Sequence, residues 1–79
     1  MTVVNLHCKG VEVYSLSVDD FMIDRTESTL RLWRNGVPVF TKGGRQEEPL
    51  LLHFERVSVD ATHLPVILDV ELKEQFCDA

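Results

Sequence analysis

The chain has 79 residues, 44% hydrophobic and 27% charged, with a formal net charge of −5. That composition is ordinary for a single small globular domain, 1–79, rather than a disordered chain, and no apolar run approaches the roughly 18 residues of a membrane-spanning helix. The negative charge argues against general affinity for nucleic acid or anionic lipid, because both begin with neutralised phosphate.

Residues 1–9 read as a strand, with Val4, Leu6 and Cys8 alternating against Val3, Asn5, His7 and Lys9. At Gly10 the apolar phase changes, since Val11 and Val13 are odd-numbered; a glycine there signals a tight turn or a bulge. Residues 11–18 continue as a strand. Ser17 with Asp20 three positions on is the one credible helix start. Too few residues follow it to sustain a helix, so a turn at Asp19-Asp20 and a short strand over 21–25 are expected. Residues 26–28 then connect to the next element.

Residues 29–42, TLRLWRNGVPVFTK, read as a β-hairpin turning at Asn35-Gly36. A type I′ turn needs positive φ at both central residues, and Asn-Gly tolerates that at least cost. Counting outward from the turn pairs Arg34 with Val37, Trp33 with Pro38, Leu32 with Val39, Arg31 with Phe40 and Leu30 with Thr41. Alternation then gives two unlike faces. Leu30, Leu32, Val37, Val39 and Thr41 form the core side, and Thr29, Arg31, Trp33, Pro38, Phe40 and Lys42 the other.

The glycine-containing stretch 42–49 reads as a loop. Residues 50–59 form a strand whose apolar parity switches at Glu55-Arg56, which places a bulge or corner there. Residues 60–63 make a turn. Residues 64–76 form the clearest strand, with Val66, Leu68, Val70 and Leu72 opposite Asp69, Glu71 and Lys73. Residues 77–79 are a tail. The total is about six short antiparallel strands with little or no helix. An all-β domain follows, either a small barrel or a two-layer sandwich.

Charge is unevenly spread: residues 1–24 carry −3, residues 25–46 carry +4 and residues 47–79 carry −6. The basic middle coincides with the aromatic residues, so Arg31, Trp33, Arg34, Pro38, Phe40 and Lys42 are the candidate binding residues. Stacking on Trp33 or Phe40 with an anion held by Arg31 suits a protein or a single-stranded nucleic acid, and the acidic flanks favour the protein. Internal cation–π pairing is the competing structural role. Asp69 and Glu71 share a strand face, which suggests an alternative: an acidic inhibitor acting by nucleic-acid charge mimicry.

His7, Cys8, His53, His63 and Cys77 lack metal-ligand spacing, and no nucleophile elbow, phosphate-binding glycine loop or paired acid/base motif occurs. No metal, no cofactor and no catalytic activity are expected. Without an export signal the cytoplasm is the expected location, and there Cys8 and Cys77 should remain unbridged thiols. The sequence therefore reads as a non-enzymatic protein-binding module, its partner another protein or a second copy of itself, with no membrane contact.

Overall fold

The structure, a computed structural model, describes residues 1–34, 39–41, 44–46 and 49–77. It is all-β. Its strands are β1 (Thr2–Cys8), β2 (Val11–Val18), β3 (Asp20–Asp24), β4 (Thr29–Trp33), β5 (Val39–Thr41), β6 (Gly44–Gln46), β7 (Leu50–Asp60) and β8 (Val66–Leu72). A single 3-10 turn, Glu74–Phe76, follows β8. Six strands form one sheet in the order β2-β1-β8-β7-β4-β3, and β5 pairs with β6 apart from it.

The sheet wraps round one core because two of its strands bend. β7 pairs with β4 through residues 50–53 and with β8 through residues 54–60. Between the two stretches Glu55 has no partner, since Phe54 faces Leu72 and Arg56 faces Glu71. This bulge lets both Phe54 and Val57 point inward, although they differ in parity. The sequence marks it by the same phase switch. β2 and β3 make the second corner, contiguous through Asp19, whose N–H donates to the Trp33 carbonyl at 2.8 Å.

Val4, Leu6, Val18, Leu30, Leu32, Phe54, Val57, Leu68 and Val70 are the buried core. Within each regular stretch of strand they alternate with outward residues, and the β7 bulge is what puts both Phe54 and Val57 inside.

The connection at Gly10 is a two-residue hairpin turn. Cys8 pairs with Val11, and Lys9 and Gly10 both have positive φ, 52° and 81°. Glycine meets the second of these without the penalty a Cβ would bring. The turn itself switches the parity, since Cys8 faces Val11, and a second bulge, where Val13 is skipped between the pairs His7–Glu12 and Leu6–Tyr14, switches it back.

Four expectations are corrected. The 29–42 hairpin does not form with the expected partners. Both edges of β4 are occupied, by β3 and β7, so Leu32 pairs with Phe21 and Leu50, Leu30 with Ile23 and Leu52, and Arg31 with Met22 and Leu51. Val39, Phe40 and Thr41 pair instead with Gln46, Arg45 and Gly44. The Asn35-Gly36 turn, with Val37 and Pro38, lies outside the described residues. Second, part of the expected 42–49 loop is strand β6.

Third, not all pairings are antiparallel: β1 and β8 run parallel, from Thr2–Val66 to His7–Glu71. β8 itself stops at Leu72 rather than continuing to residue 76. Fourth, Cys8 and Cys77 are joined by a disulfide, with their Cα atoms 5.7 Å apart. Cys77 is no frayed tail, because the 3-10 turn after β8 carries it back to the end of β1. Strand periodicity cannot register such a reversal.

Candidate interaction surface

Three strands build the surface on which the sequence placed its binding residues. Leu30 and Leu32 are 0% and 2% exposed, so the intervening Thr29, Arg31 and Trp33 lie on the outer side of β4. Register then fixes their neighbours. Met22 of β3 and Leu51 of β7 flank Arg31 directly, Asp20 faces Trp33, and Asp24 and His53 flank Thr29. Met22 is 52% and Leu51 46% exposed, while Arg31 and Trp33 are half-buried. The surface is thus an apolar row with a guanidinium at its centre and carboxylates along the outer strand.

Arg31 makes no ion pair among the described residues. Asp24 is committed to the turn after β3, its Oδ1 accepting from the N–H groups of Thr26 and Glu27 at 2.9 and 3.1 Å. The exposed Asp20 accepts from the N–H of Phe21 at 2.8 Å. By register both carboxylates lie two residues along β3 from Met22, the cross-strand partner of Arg31.

Of the six binding residues expected from sequence, Arg31 and Trp33 share this outer face and Arg34 lies exposed beyond the end of β4. Phe40 sits in β5, which does not pair with β4. Pro38 and Lys42 lie outside the described residues. Met22, Asp20 and Leu51 were missed. Their signal, an exposed apolar or acidic residue on a neighbouring strand, depends on register, and the hairpin assumption had assigned β4 a different partner.

At its far end this surface meets the C-terminal turn. His53, on the same side of β7 as Leu51, stacks on Phe76 with ring centroids 4.7 Å apart and planes 16° from parallel.

The outer face of β2, β1, β8 and β7 differs in kind. Ser15 Oγ donates to Asn5 Oδ1 at 2.8 Å, and Asn5 Nδ2 donates to Asp69 Oδ1 at 3.1 Å. His7 Nε2 approaches the same carboxylate oxygen at 3.5 Å. Glu71 accepts from the Gly10 N–H at 3.3 Å. The two carboxylates of the charge-mimic alternative are therefore already engaged by their own chain. Beside the β7 bulge lies an open groove of about 520 Å³, lined by Arg25 and Arg56 as well as Glu55, Asp69 and Glu71. Its charges are mixed, and Ser58, the cross-strand partner of Asp69, lines it together with His7. Among the described residues no three His, Cys, Asp or Glu side chains cluster as metal ligands, and no helix is long and apolar enough to cross a membrane.

No family model, curated protein or solved structure matches this chain.

Proposed function

We propose that the protein is a small non-enzymatic protein-binding domain, acting by contact through the outer face of β3, β4 and β7, and that the partner this face fits is a second copy of the chain. The observation that carries the reading is Arg31. It is flanked by the exposed Met22 and Leu51, lacks an ion pair within the described chain, and has Asp20 on the adjacent strand. A two-fold interface must be self-complementary. Turning one copy onto another lets each Arg31 meet the other copy's Asp20 while the apolar row is covered twice. Nucleic acid fits less well, since Asp20 and Asp24 would face its phosphates.

The disulfide also bears on where the chain acts. Bridged cysteines persist in oxidising compartments, so the cytoplasmic expectation gives way to an exported or otherwise oxidising setting.

Sedimentation equilibrium on the oxidised full chain tests the reading. A dimer is expected, with Arg31→Glu and Asp20→Lys each monomeric. Mixing the two variants should restore a heterodimer, because both cross-interface pairs become opposite in charge again. A chain monomeric up to about 1 mM, equivalent to binding weaker than about −4 kcal/mol, overturns it. So does a dimer indifferent to Arg31→Glu.

A further inference from the structure

We infer that the Cys8–Cys77 disulfide installs Phe76 as part of the contact face, so that self-association depends on the oxidation state of the chain; this rests on the reading just given. Phe76 is 50% exposed, and its ring lies on His53, one step along the outer side of β7 from Leu51. It therefore extends the apolar row from Met22 and Leu51 to a third large side chain. An exposed aromatic ring held in a fixed pose is what an interface anchor needs, since little side-chain freedom remains to be lost on binding.

What holds Phe76 there is mainly the neighbouring residue. The Glu74–Phe76 turn buries no side chain, and no side-chain cap closes its start. Its own hydrogen bonds are local, from the Phe76 N–H to the Lys73 carbonyl at 2.8 Å and from the Cys77 N–H to the Glu74 carbonyl at 3.0 Å. The Lys9–Glu74 ion pair, at 3.8 Å, is solvent-exposed on both sides and weak. A single 3-10 turn with these contacts does not persist by itself. The covalent tie from Cys77 to the end of β1 converts it into a fixed element.

A dithiol reductant reverses this. It supplies two electrons and two protons, the Sγ–Sγ bond breaks to give two thiols, and the reductant leaves as its own disulfide. Phe76 is then held only by its stack on His53, the local turn bonds and the Lys73 N–H bond to the His53 carbonyl at 3.3 Å, and the third side chain of the row loses its fixed pose. Met22, Arg31 and Leu51, carried on paired strands, stay where they are.

The test compares the dimer dissociation constant of the full chain with and without dithiothreitol, alongside backbone amide exchange. On reduction, the amides of Phe76 and Cys77 should exchange at least tenfold faster, and the dissociation constant should rise at least tenfold. Phe76→Ala, which keeps the disulfide and alters an exposed residue, should raise the constant by a similar factor while oxidised. Reduction should then add nothing further. This variant also decides the matter should the reduced chain unfold. A dimer unaffected by Phe76→Ala overturns the inference and leaves the self-association reading standing. Absence of a dimer in the oxidised wild type overturns both.

Discussion

The two outer faces of this sheet, built from the same chain over one core, treat their polar groups in opposite ways. On the β2-β1-β8-β7 side, Ser15, Asn5, Asp69 and His7 form a lateral chain of contacts across three strands. On the β3-β4-β7 side, Arg31 stands between two exposed apolar side chains without such a network. The first face meets its hydrogen-bonding needs internally and can remain in water. The second leaves Met22 and Leu51 exposed beside Arg31, with no ion pair to Arg31 among the described residues, which is the feature the proposed function rests on. β7 serves both, and its bulge at Glu55 is where one regime gives way to the other.

The largest effects should come from beneath the faces rather than on them. Leu30 and Leu68 are both 0% exposed, one under each face. Truncating either to Ala should cost about 2–5 kcal/mol, measured by urea denaturation. A single cooperative transition in both variants is expected, because the two sides share one core. Separate transitions for the two halves would break the comparison at its base.

A middle range of effects separates the faces themselves. Trp33→Ala should weaken self-association by about 2 kcal/mol, roughly thirtyfold, while Asp69→Ala should leave it unchanged. Stability should respond the other way, with Asp69→Ala costing on the order of 1 kcal/mol through the lost bonds to Asn5 and His7. Paired measurements of dissociation constant and denaturation midpoint read out both. Exchange of the two outcomes would mean that the faces have been assigned backwards.

The smallest effect lies at the turn after β7, away from either face. Asp60 has its pKa lowered from the ordinary carboxylate value, first by the hydrogen bond from the Thr62 hydroxyl and then by that from the Thr62 N–H. A folded pKa below the unfolded one contributes stability above the unfolded value, about 3.8, and loses it as pH falls through the folded one. Asp60→Asn should therefore remove a slight acid sensitivity below pH 4 and change little at neutrality, as followed by acid titration of the denaturation midpoint.

Much of this contrast was legible in the sequence. Alternation along 66–72 and at Leu30 and Leu32 identified the core, and the parity switch at Glu55-Arg56 located the corner, because burial on one side of a pleated strand leaves a period of two in the residues themselves. Pairing partners leave no such period. Nothing local in TLRLW distinguishes a strand that turns back on 37–41 from one that docks between β3 and β7. The partners it takes on β7, Leu50 and Leu52, lie about twenty residues away. The disulfide was hidden for the same reason, since it depends on a chain reversal after Leu72 that brings together residues 69 positions apart.

The parallel pairing of β1 with β8 affects how the protein can be made. Among the described residues β8 alone bridges β1 and β7, so without it the sheet order breaks into β2-β1 and β7-β4-β3. A nascent chain emerging from the ribosome can form the β1–β2 and β3–β4 hairpins early, but it cannot close its core until residues 66–72 have cleared the exit tunnel. Val4, Leu6 and Val57 stay wet throughout that interval. Synthesis is thus a period of exposure for this protein, and its folding rate is set by the arrival of its most distant contact.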